Sequence, residues 1–164
     1  MFDTINGIPI HPLVVHGVAV LLPLAIVGTL AIVARPAWRR THGVLVVAIA
    51  AIATAMIPVA TSSGESLEKH VGDPGKHAAL GDQLIWFVLP MLVLVVALVF
   101  LDRRDAAAAE NTSGSSTTGI KVVAALAVVA SMAAGFQVYR VGDSGAKAAW
   151  CGEGKPAFSC TAAK

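Results

Sequence analysis

Long apolar runs separated by short polar stretches set the plan of this chain. Four stand out, at residues 14–33, 43–60, 84–101 and 120–138. Each is close to the ~20 residues a helix needs to cross a bilayer. They contain no Asp, Glu, Lys or Arg except Lys121, which sits at a run's end, where its stem can carry the ammonium to the headgroups. Backbone amides in hydrocarbon must pair within their own segment, so each run predicts a helix. The expected fold is all-α: an integral membrane four-helix bundle over 1–145, with a short external C-terminal tail over 146–164.

Local chemistry adds detail. His11-Pro12 suits a helix start, because proline at the first helical position loses no needed N–H. Pro23 and Pro90 predict kinks, and Pro58 lies near the end of the second run. Alanine, serine and glycine crowd the second and fourth runs, which allows close backbone approach. Residues 106–119 are small, polar and almost uncharged, and predict a flexible loop. Residues between the second and third runs are expected to form the other main loop.

Composition agrees with lipid as the solvent. The chain is 56% hydrophobic and 13% charged, about half the charge of a soluble domain. A net charge of +2 from scattered residues gives no footprint for nucleic acid. No Lys or Arg precedes the first run, so a retained helix is expected there rather than a secretory signal. Arg35, Arg39, Arg40, Arg103, Arg104 and Lys121 lie close to the ends of runs on one side. On the other side Lys69, Lys76, Lys147, Lys155 and Lys164 stand farther out, and only Arg140 is close. Basic residues near span ends favour the cytoplasm, so both termini are expected outside, with the 35–42 and 102–119 loops inside. Cys151 and Cys160, the only cysteines, then share an oxidising compartment. A disulfide between them is expected, with zinc binding as the alternative.

On this topology His11, His16, His70 and His77 gather at the outer face with Glu65, Glu68, Asp73 and Asp82. His16 lies inside an apolar run, where an ionisable group needs a partner. Imidazole is a common metal ligand and can ligate haem iron. The candidate metal set is His11, His16, Glu65, Glu68 and His77, and the candidate haem ligands are His16 and His77. The competing reading is that His16 is neutral and bonds a neighbouring helix. HExxH, CxxCH, P-loop and GxSxG motifs do not occur, so an enzyme with its own hydrolytic machinery is not expected.

The segments HPLVVH (11–16), GESLEKHV (64–71), HAALGDQ (77–83) and GFQVYRVG (135–142) come in an order that resembles a known family. It is the bacterial four-helix membrane family catalogued as domain of unknown function 2231. Its pattern would fall on His11, Pro12 and His16, then Glu65 and Glu68, then His77, then Val138, Tyr139 and Gly142. This chain departs at Gly17, where members often carry Phe, and at Phe136, near a position that is His in some relatives. Some relatives are fused to a Rieske iron–sulphur domain, and that implies an electron-transfer setting. The expected function is a redox-associated membrane protein binding haem or a transition metal at its outer face. The alternative is a structural or accessory subunit packed against a larger membrane complex, without a cofactor. Expected partners are the lipid bilayer, a respiratory or other redox membrane complex and a second copy of the chain. The expected location is the bacterial inner membrane, multi-pass.

Overall fold

In a computed structural model, residues 4–5, 8–72, 75–109 and 117–151 are described. Four long helices carry the fold: α1 (Ile10–Ala34), α2 (Ala37–Val71), α3 (Lys76–Ala109) and α4 (Thr117–Trp150). A two-residue strand β1 (Thr4–Ile5) pairs antiparallel with β2 (Ile8–Pro9) just before α1. All four helices are long and apolar enough to span a membrane.

The helices run up and down in sequence. α1 packs on α2 and α3 on α4, and the contacts α2–α3 and α1–α4 close the ring. α1 and α3 therefore stand at diagonal corners. One end of the bundle carries His11 and His77 and is called the histidine end; the other, with Arg39 and Asp102, is the arginine end.

Each helix outruns its apolar stretch. At 1.5 Å per residue, the 35 residues of α2 extend about 50 Å, against a hydrocarbon core of ~30 Å. Hydropathy registers only the part dissolved in lipid, and nothing at the headgroups obliges a helix to stop. Residues 37–42 are accordingly helical rather than loop, as are 106–109 and 117–119. His70 and His77 lie within α2 and α3, not in a loop between them. α2 stops where the sequence can turn. Gly72 takes φ 91°, its N–H bonds to Glu68 O at 2.8 Å, and Gly75 follows with φ 60°. α4 continues to Trp150, so helix covers the first part of the expected tail. Pro12 sits in the first turn of α1 but not at its first position, since the helix begins at Ile10. Its missing N–H is still among the four that a helix start leaves unpaired.

The core is a stripe on each helix, with steps of mostly three or four residues. α1 gives Val18, Leu22, Ala25, Thr29 and Ile32, and α2 gives Val46, Ala50, Ala53 and Ile57. α3 supplies the larger Leu84, Val88, Met91, Val95 and Leu98, against Ala124, Ala127, Ser131 and Ala134 of α4. Such spacing packs helices in knobs-into-holes fashion. Small residues bring the helices close. A Cβ on Gly28 would stand 3.0 Å from Val46, and one on Gly43 would stand 2.9 Å from Val99. Thr29 and Thr54 satisfy their buried hydroxyls on the carbonyls of Ala25 and Ala50, at 2.8 and 2.7 Å. Large apolar side chains on the far faces, among them Val20, Val27, Val93, Phe100 and Val129, are exposed to the surroundings.

Candidate functional site

At the histidine end, two imidazoles cross from one helix to the next. His11, half-buried in the first turn of α1, places Nδ1 2.9 Å from the carbonyl oxygen of Ala60 on α2. The same nitrogen is 3.3 Å from Ser63 Oγ. A carbonyl can only accept, so Nδ1 carries the proton and Nε2 is left as the other polar atom of the ring. Ser63 donates to that same carbonyl at 3.0 Å. Gly64 makes room for the ring, since a Cβ there would stand 3.1 Å from His11 Cε1.

The second hairpin repeats this arrangement. His77, in the first turn of α3, donates from Nδ1 to Val141 O on α4 at 3.1 Å, with Ser144 Oγ 3.5 Å away. Ser144 donates to Val141 O at 2.9 Å, and a Cβ on Gly145 would stand 2.9 Å from His77 Cε1. A histidine, a carbonyl, a serine three residues after that carbonyl and a glycine next to the serine thus recur in both helix pairs. Below His77, the fully buried Gln137 donates from Nε2 to Leu80 O at 3.0 Å. It also accepts from Arg140 at 3.1 Å.

The other expected residues are placed differently. His16 is exposed on the outside of α1, and its Nδ1 donates within the helix to Pro12 O at 2.6 Å. His70 does the same toward Ser66 O at 3.0 Å. The α2 residue that meets the Gly17 backbone is Met56. Glu65 lies nine positions farther along, roughly 13 Å at 1.5 Å per residue, so it is level with His11 rather than with His16. Glu65 is exposed and Glu68 half-buried. Among the described residues, no three His, Cys, Asp or Glu side chains converge on a point that could hold a metal ion. α1 and α3 stand diagonally rather than as the neighbours expected for a shared His16–His77 site. Phe136, at the departure from the family pattern, is exposed, with the Arg140 guanidinium 5.9 Å from its ring centre. Cys151 closes the described chain; Cys160, and with it the expected pairing, lies outside the described residues.

Sequence reasoning missed Ser63, Gly64, Ser144 and Gly145 as partners of the histidines. The signal was a Ser-Gly pair, but it occurs a third time at 113–114, so it does not single out the two that matter.

Four spanning helices with polar fastenings at their ends define a multi-pass membrane protein. A family model described as "Predicted membrane protein (DUF2231)" matches residues 7–155, and the chain belongs to that family. No curated protein matches the chain, and no solved structure does either.

Proposed function

We propose that this protein is a structural or accessory subunit of the membrane, in which the histidines of the histidine end hold helices together. One observation carries this reading: His11 and His77 each spend Nδ1–H on a main-chain carbonyl of the following helix. A histidine among apolar helices must bond something, and here that partner is the bundle itself. The exposed small residues Ala48, Ala51 and Ala55 on α2 support a further helix as neighbour, since small side chains permit close approach in lipid. The basic residues crowding the arginine end support a cytoplasmic position for it, in a bacterial inner membrane, with both termini and a Cys151–Cys160 disulfide outside.

A second reading, redox-associated binding of haem or a transition metal, draws on the same bonds. An imidazole whose Nδ1–H is fixed by a carbonyl has Nε2 oriented for a metal. His11 and His77 are then the ligands to consider, one from each hairpin, rather than His16. The three-donor set expected for a bare metal ion is not assembled among the described residues.

Absorption spectra and metal analysis of protein purified from a haem- and metal-replete host separate the two readings. The accessory reading expects no Soret band and no stoichiometric metal, with the protein migrating in a larger complex after mild solubilisation. A Soret band lost in both His11→Ala and His77→Ala would establish the redox reading instead.

A further inference from the structure

The arginine end holds a cleft of about 650 Å³ between the α1–α2 turn, α3 and α4. A smaller one of about 320 Å³ adjoins it and shares Pro36, Arg40 and Asp102. The larger has the volume of a small-molecule site, and its walls divide by chemistry. Val33, Ile120, Ala124 and Ala125 form an apolar floor, and Arg40 and Lys121 stand exposed at the rim. Arg39 also lines it but is already committed. It is 7% exposed, donates to Ile32 O at 2.9 Å and Val33 O at 3.4 Å, and pairs with Asp102 at 3.4 Å. With Arg39 and Asp102 offsetting each other, Arg40, Lys121 and Asp105 are the other charged residues of the lining, and they leave it one positive charge in excess. The first turn of α2, at Ala37, adds the positive end of a helix dipole beside Arg40.

Two further observations fix the setting. Ala125 is exposed and lies between Val122 and Val129 on the outer surface of α4, so the apolar floor runs on into the lipid-facing surface. Trp38 is 41% exposed with the Arg35 guanidinium 5.0 Å from its ring centre, an arrangement suited to the headgroup layer. The cleft therefore opens sideways onto lipid, at headgroup depth, with cations above an apolar floor.

We propose that this cleft binds the phosphodiester headgroup of an anionic phospholipid, its acyl chains lying along Ala125 and the outer face of α4. Arg40 and Lys121 supply the charge; the Arg39–Asp102 pair shapes the wall. A cation near a membrane surface contributes about 1 kcal/mol toward anionic lipid, close to a five-fold preference.

The full chain in detergent, given equimolar phosphatidylglycerol and phosphatidylcholine, should retain phosphatidylglycerol preferentially in native mass spectrometry. Arg40→Gln and Lys121→Gln should each reduce the adduct ratio about five-fold. Both residues are exposed, so the fold should persist, as checked by an unchanged melting temperature. Arg103→Gln with Arg104→Gln, exposed at the same end but outside the cleft, should leave the ratio unchanged. An equal loss in that control, or no loss in the cleft variants, overturns the proposal. So does displacement of phosphatidylglycerol by millimolar inorganic phosphate, which would assign the cleft to a soluble anion.

Discussion

Gly145 lies so near the imidazole of His77 that a Cβ on it would stand 2.9 Å from Cε1 and 3.0 Å from Nδ1. The same Nδ1 bonds to Val141 O of α4 at 3.1 Å, so the ring cannot withdraw from α4 without breaking that bond.

Gly145→Ala should therefore destabilise the bundle by about 1–3 kcal/mol, the usual range for overpacking. Gly142→Ala, one turn earlier with nothing within 4 Å, should be neutral or stabilising by about 0.5–1 kcal/mol, because alanine loses less backbone entropy in a helix. Reversible unfolding in mixed detergent micelles measures both. Equal effects at the two positions would show that the imidazole is not wedged as described.

Removing either fastening should cost about as much as one hydrogen bond. His11→Ala and His77→Ala are each expected to lower stability by about 1 kcal/mol. The double variant should show near-additive loss, because the two sit in separate helix pairs and share no partner. His16→Ala should change stability little, since its bond is local and its ring is exposed. A His16 variant as damaging as the other two would contradict the assignment.

Arg39 should be the least replaceable basic residue of the arginine end. Its side chain joins the last carbonyls of α1 to Asp102 of α3, with 8% and 15% side-chain exposure in the pair. Arg39→Ala leaves the carboxylate without its partner and should cost roughly 3 kcal/mol. Asp102→Asn keeps an acceptor and should cost less. Arg40→Ala, at an exposed position, should have a small effect on stability. Thermal unfolding of the three variants gives the order directly.

The tail makes a chemical prediction. Protein isolated without reductant should be two hydrogens lighter than after reduction, as a Cys151–Cys160 disulfide requires. Labelling of both thiols in the untreated protein would refute it, and would also weaken the external placement of the C-terminus.

Span number and helical class were legible because lipid imposes them: an apolar run of bilayer length has no other way to pair its backbone. Which side of each run faces inward was not legible. Val88 is fully buried and Val93 exposed on the same helix, and hydrocarbon accepts valine on either side. The partners of the histidines were hidden for another reason. His11 and Ala60 meet across 49 residues, and only the relative register of α1 and α2 decides which carbonyl faces the ring. His16 looked the more interior of the pair by depth in its apolar run, yet its azimuth on α1 turns it outward. Arg39 reads in sequence as a topology signal. Its second role depends on open carbonyls at the end of α1, where Pro36 stops the helix from continuing.

The link between α1 and α2 is only Arg35 and Pro36, and the His11–Ala60 bond lies at the opposite end of the same pair. During synthesis the imidazole is in place before Ala60 has been added to the chain. The bond closes only once the second span has threaded back across the bilayer in the correct register. For the α3–α4 pair, joined through residues 110–116, His77 waits in the same way for Val141. Each imidazole is thus a latch that can close only on a completed crossing and return, and it ties together the two spans of one hairpin.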